Sequence, residues 1–166
     1  MTIFTHKRSK VIFSIYLLFI INFVIIKFTG NIEHVVARIQ ANIFQKSIGY
    51  WKINLNPVVT LKSSFHSFQN SGITSYEVLY FIGNVLIFLP MGFLIPFLLK
   101  KQSLFKTMFC CLLLIVGIEL TQFITYLGSA DMADVFLNMI GCLFGYIGNK
   151  IYCSVEDVFI NRSHGN

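Results

Sequence analysis

The chain has 166 residues, of which 55% are hydrophobic and only 12% are charged, and its mean hydropathy is +0.72. A water-soluble domain carries about twice that share of charged residues, so the composition excludes an ordinary soluble fold and indicates a chain solvated largely by lipid. The net charge of +6 does not indicate nucleic-acid binding, because Lys and Arg flank the apolar runs and no nucleic-acid-binding motif occurs.

Four apolar runs are long enough to cross a bilayer, which takes about 20 helical residues each. They cover about residues 11–28, 78–99, 106–127 and 132–152. We therefore expect an all-α fold, in which a single domain of residues 1–166 forms an integral membrane bundle of four transmembrane helices. The first run follows basic residues, as in a secretory signal, but no small-residue cleavage pattern comes after it, so we interpret it as an uncleaved anchor.

The long first connection, residues 29–77, contains a second kind of helical pattern. Its apolar residues recur at helical spacing at Ile32, Val35, Val36, Ile39, Ile43 and Phe44. Polar residues lie between them, which predicts an amphipathic helix in the membrane surface. Tyr50 and Trp51 follow, as is typical of the aromatic belt at a membrane interface.

Basic residues predict the orientation of the spans. Lys100, Lys101 and Lys106 lie in the connection between the second and third spans, whereas the next connection, residues 128–131, has no Lys or Arg. Under the positive-inside rule, the basic connection and both termini are cytoplasmic. The connection at 29–77 then faces outward.

Polar side chains interrupt three of the predicted spans, although an ionisable group costs about 2.5–3.5 kcal/mol at the centre of a transmembrane helix. They share a similar predicted depth in the outer half of the membrane. We predict that they form one polar cluster, made of Asn84, Glu119, Gln122, Asp131, Asp134 and Asn138. Glu119 and Gln122, three residues apart, lie on one helical face.

Each of these residues also has a structural interpretation. Asp131 and Asp134 suit the N-cap and the first turn of the fourth helix. The amide side chains suit hydrogen bonds between helices, worth about 0.6 kcal/mol each. Glu119 is the strongest indication of function, because a carboxyl group at its depth must be protonated, paired or hydrated. Glu119, Asp131 and Asp134 are accordingly the candidate catalytic residues if the protein is an enzyme.

Small residues on the fourth span predict close helix packing. Gly141 and Gly145 form a small-xxx-small pair. This face could pack against another helix of the same chain or against a second copy in a homo-oligomer. The four cysteines lie in or beside apolar runs without metal-ligand spacing, which indicates packed core residues. We expect no metal site and no cofactor.

Several sequence elements resemble the VanZ family. The stretch Gly83–Gly92 matches an N-x-x-x-F-x-P-x-G element, Ile118–Gln122 an I-E-x-x-Q element, and Ala130–Gly141 a D-x-x-D-x-x-x-N-x-x-G element. Asn54–Pro57 is similar to an N-L-x-P-F segment, with Val after the proline in place of Phe. Order and spacing agree over roughly Asn54–Tyr146. One departure is that many members have an Arg just before the first Asp of the last element, where this chain has Gly-Ser-Ala.

The resemblance implies a multi-pass protein of the bacterial cell membrane that is associated with low-level resistance to teicoplanin, with little or none to vancomycin. Its partners would be membrane lipid and a glycopeptide or cell-wall precursor at the outer face, with no nucleic acid. Two other interpretations remain. One is a structural or interaction protein of the cell envelope, and the other is an intramembrane acid/base enzyme acting on an envelope lipid or precursor. The absence of known catalytic motifs favours a protein that is not an enzyme.

Overall fold

The computed structural model describes residues 6–26, 31–50, 53–71, 76–99 and 103–164, and most of them are helical. Helices suit so apolar a chain, because a backbone inside lipid must satisfy its own hydrogen bonds. The elements in chain order are α1 (His6–Ile20) continued by a π-helical segment (Ile21–Ile26), α2 (Ile32–Ser47), β1 (Ile53–Asn54), α3 (Pro57–Ser71), α4 (Tyr76–Leu98), α5 (Leu104–Ile124), β2 (Ala130–Asp131) and α6 (Met132–His164).

Among the described residues, three helical segments are long and apolar enough to cross a membrane. They are His6–Ile26, Val78–Leu98 and Leu104–Ile124, and they correspond to the first three predicted spans. The fourth predicted span, residues 132–152, lies within α6, where Asn149 and Lys150 lower the local hydropathy. The structure thus has the character of a helical membrane protein, while a fourth crossing stays a prediction.

Some sequence predictions rest on residues outside the described ranges. These are the end of the first span at 27–28, the interfacial Trp51, and the orienting residues Lys100 and Lys101.

The first connection contains two helices with clear starting signals. Asn31 caps α2, because its side chain accepts a hydrogen bond from the Glu33 amide at 2.8 Å. Asn56 likewise accepts a hydrogen bond from the Val58 amide at 3.1 Å, with Pro57 as the first residue of α3. The sequence pattern did not predict α3, whose apolar residues are interrupted by several serines.

Helix α4 contacts α1, α3, α5 and α6 and is the centre of the bundle. It contains two prolines, each of which removes a backbone donor and displaces nearby carbonyl groups. The carbonyl three residues before each proline accepts a side-chain hydrogen bond from a neighbouring helix. The Tyr16 hydroxyl donates to Ile87 at 2.8 Å, and the Asn149 amide donates to Phe93 at 3.0 Å. Side chains of α1 and α6 therefore help satisfy the backbone of the proline-containing helix.

Candidate polar site at one end of the bundle

The positions of the polar residues depend on a close contact between α4 and α6. A Cβ atom added to Gly141 would lie 2.2 Å from the carbonyl oxygen of Val85, and one added to Gly145 would lie 2.0 Å from that of Leu89. Only glycine allows the two backbones to approach so closely. Because this glycine face is buried within the chain, a homo-oligomer would have to use another surface.

The contact brings Asp134 of α6 against two side chains of α4. Asn84 Nδ2 donates a hydrogen bond to Asp134 Oδ1 at 3.0 Å, and the Tyr80 hydroxyl donates to the same oxygen. Tyr80 and Asn84 are four residues apart and so lie on one face of the helix. Asn84 and Asp134 belong to the cluster predicted from the sequence, whereas Tyr80 was not predicted; its spacing from Asn84 was the available signal.

A short strand pair holds the other aspartate. Strands β1 and β2 pair in parallel, with Asn54 opposite Asp131. Asn54 Nδ2 lies 3.3 Å from Asp131 Oδ1 and 3.2 Å from Oδ2, and Oδ1 also accepts the Ala133 amide at 2.8 Å. Asp131 thus stabilises the start of α6 and joins it to the first connection. Asn54 carried part of the family resemblance but was not assigned to the predicted cluster.

Gln122 is buried on α5 but bonds in another direction. Its Nε2 donates to the backbone carbonyl of Val24, in the π-helical segment, at 2.8 Å. The backbone carbonyl of Gln122 accepts hydrogen bonds from the backbone amides of Leu127 at 3.0 Å and Gly128 at 3.1 Å. These two bonds cap the C-terminal end of α5. Gln122 therefore joins α5 to the π-helical segment that continues α1 and to the turn that leads into β2.

Glu119 and Asn138 lie inside the bundle. The two residues are 6% and 2% exposed, respectively, so neither faces surrounding lipid. Glu119 is one turn before Gln122 on the same face of α5, and Asn138 is one turn after Asp134 on α6. No protein group in the described residues donates a hydrogen bond to Asn138 Oδ1, and a buried amide oxygen of this kind has unused capacity to accept one.

Helix α2 attaches to the turn between α5 and α6. Asn42 Nδ2 donates to the carbonyl of Tyr126 at 2.7 Å, and Lys46 Nζ donates to the Tyr126 hydroxyl at 2.8 Å. The same ammonium group lies 4.8 Å from the centre of the tyrosine ring, within cation–π range. Tyr126 has a φ of 57°, which is unfavourable for a residue with a side chain. The contacts from α2 help to hold this turn, which leads directly to β2 and Asp131.

The geometry distinguishes what the predicted cluster residues do. Hydrogen bonds join Asn84 to Asp134, whereas Asp131 bonds to Asn54 and Gln122 to Val24. The carboxylates therefore accept bonds from amide, phenol and backbone donors that connect separate elements. In the part of the chain that the structure describes, no three His, Cys, Asp or Glu side chains group as metal ligands would.

The apolar helices and the buried polar side chains define a small helical membrane protein. A family model described as VanZ/LLP1 matches residues 13–154, so the chain belongs to the VanZ/LLP1 family, which confirms the resemblance carried by its motifs. A curated relative, Protein VanZ from Enterococcus faecium, is 35% identical over 71 residues, which are 43% of this chain and 42% of that protein. The alignment thus spans less than half of the relative's length. No solved structure matches the chain.

Proposed function

We propose that this protein contributes to low-level teicoplanin resistance from the bacterial cell membrane without catalysing a reaction. Its membership of the VanZ/LLP1 family supports the resistance role. The observation on which the proposal mainly depends is the joining of the first connection, α4 and α6 around Asp131 and Asp134. Such an arrangement would give a shaped, polar outer surface that alters how a lipid-tailed glycopeptide engages the membrane or its cell-wall precursor.

The proposed membrane arrangement has four spans, with residues 132–152 of α6 as the fourth. The basic connection that contains Lys106 is cytoplasmic, as are both termini, and the polar cluster faces outward. Helix α2 lies in the outer surface of the membrane. Its large apolar side chains are exposed at Ile32, Val36, Ile43 and Phe44, which supports contact with lipid.

The hydrogen bonds of the aspartates favour a structural role over acid/base catalysis. A general base needs a lone pair directed at the proton it removes. Asp134 Oδ1 accepts bonds from Tyr80 and Asn84, and Asp131 Oδ1 accepts bonds from Asn54 and a backbone amide. These contacts orient the carboxylates toward neighbouring elements. The intramembrane enzyme remains the alternative, with Glu119 as its leading candidate because of its burial.

The first experiment compares the drug susceptibility of a deletion strain with that of the same strain complemented by the wild-type protein. We expect deletion to increase susceptibility to teicoplanin and to leave the response to vancomycin nearly unchanged. An equal change for both drugs, or no change for either, would refute the proposed function.

Complementation with Asp134→Asn and Glu119→Gln separates the structural role from the enzymatic one. An amide oxygen at position 134 can still accept the bonds from Tyr80 and Asn84, so a non-catalytic protein should keep most of its resistance. Asp157→Asn, at an exposed position of α6, is the matched control. Loss of resistance in either cluster variant at normal membrane levels, with the control unaffected, would favour the enzyme.

A further inference from the structure

An apolar groove separates α3 from the first turns of α4. Its volume is about 330 Å³, and its lining consists of Leu61, Phe65, Phe68, Val78, Phe81 and Ile82. Phe65 is 64% exposed and Phe68 49% exposed, so these rings form an accessible wall. A concave surface lined by apolar and aromatic side chains is the usual form of a small-molecule binding site. We call it the α3–α4 groove.

Helix α3 also supplies positive charge next to the groove. A second depression, of about 450 Å³, shares Leu61 and Phe65 with the first and also contains Lys62 and His66. Lys62 is exposed, and His66 is hydrogen-bonded to the Asn70 side chain at 2.9 Å. Helix α3 has no Asp or Glu. The combination therefore suits a ligand with an apolar tail and an anionic head.

The location of the groove agrees with such a ligand. Val78 is the first residue of the apolar segment Val78–Leu98, so Val78, Phe81 and Ile82 lie where the headgroup region of a bilayer would meet its acyl chains. A chain entering between α3 and α4 would leave its headgroup near Lys62. A lysine at this level can approach an anionic headgroup while its methylene groups remain on apolar surface.

We infer that the α3–α4 groove binds an acyl chain of an anionic phospholipid, with the headgroup held by Lys62 and His66. The apolar lining accounts for the tail, and the charge of the Lys62 ammonium group accounts for the choice of an anionic headgroup over a neutral one. This site is separate from the polar cluster and does not depend on the proposed role in resistance.

Fluorescence quenching by brominated lipids tests the site in the full chain. In a Trp51→Phe background, which removes the natural tryptophan, Phe68→Trp places a probe in the groove. Ile124→Trp, at the C-terminal end of α5, is the control. That position is 70% exposed and does not line the groove. Each variant is reconstituted in phosphatidylcholine vesicles with increasing mole fractions of brominated phosphatidylglycerol or brominated phosphatidylcholine.

For the groove probe, we expect half-maximal quenching at an about fivefold lower mole fraction of the anionic lipid, as one lysine near an anionic headgroup provides. The Ile124→Trp control should show no such preference. Adding Lys62→Gln and His66→Gln should remove the preference of Phe68→Trp, whereas Lys10→Gln should preserve it. Circular dichroism establishes that every variant remains helical.

Three results would overturn the inference. One is equal quenching of Phe68→Trp by the neutral and anionic lipids, which would mean that bulk lipid fills the groove. Another is a preference that survives the Lys62→Gln and His66→Gln changes. The third is an absence of quenching by both lipids, which would mean that the chain itself or a second copy covers the groove.

Discussion

The glycine contact between α4 and α6 leads to a quantitative prediction for Gly145→Ala. The added methyl group would lie 2.0 Å from the Leu89 carbonyl oxygen and 2.8 Å from the Phe93 amide nitrogen. Both are backbone atoms, so relief requires that the two helices move apart. Overpacking of a well-packed interior costs about 1–3 kcal/mol, and the greater helix propensity of alanine offsets up to about 1 kcal/mol of this.

Matched glycines elsewhere in the bundle isolate the cost of the contact. A Cβ atom at Gly83 of α4 or Gly117 of α5 would meet nothing within 4 Å. Gly83→Ala and Gly117→Ala should therefore be neutral or stabilise by up to about 1 kcal/mol. The difference between Gly145→Ala and these controls should be about 1–3 kcal/mol, since the gain in helix propensity is common to all three.

The measurement is the free energy of unfolding in mixed detergent micelles, followed by circular dichroism during titration with a denaturing detergent. The wild type and the three alanine variants are compared under one condition. If Gly145→Ala proves as stable as Gly83→Ala, then α4 and α6 do not approach each other this closely, and their contact does not position Asp134.

Substitutions at three further positions test individual contacts. Asn149→Ala removes the amide bond to a carbonyl of α4 and should lower the free energy of unfolding by about 0.6–1.7 kcal/mol; an unchanged value would show that the bond contributes nothing. Asn54→Ala removes the side-chain donor to Asp131 and should lower the free energy of unfolding by about 1 kcal/mol. Asn54→Asp places two carboxylates together and should lower it further. If Asn54→Asp is instead the more stable of the two variants, the hydrogen bond between Asn54 and Asp131 is contradicted. Lys46→Gln removes the charge near the Tyr126 ring and should increase hydrogen exchange of the α2 amides, while exchange identical to the wild type would exclude a role for this lysine in holding α2.

The sequence was most informative where a property depends on the residues of one segment. The membrane-spanning character of the first three spans follows from apolar composition, because the lipid environment acts on each helix separately. The family also follows from short local motifs. The π-helical end of the first span and the helix α3 were not predicted, since both lack a distinctive apolar period.

The sequence likewise identified which polar residues were unusual, but only the tertiary structure decided their partners. Asn84 and Asp134 were predicted to meet because the predicted spans place both side chains at a similar depth in the membrane. Tyr80 and Asn54 were missed, and the partner of Gln122 is a backbone carbonyl, a group that every residue has. Composition and spacing are local and can be read along the chain, whereas a hydrogen bond between distant residues depends on the rotation and depth of two packed helices. Here that geometry depends on glycines through which α4 and α6 come into backbone contact.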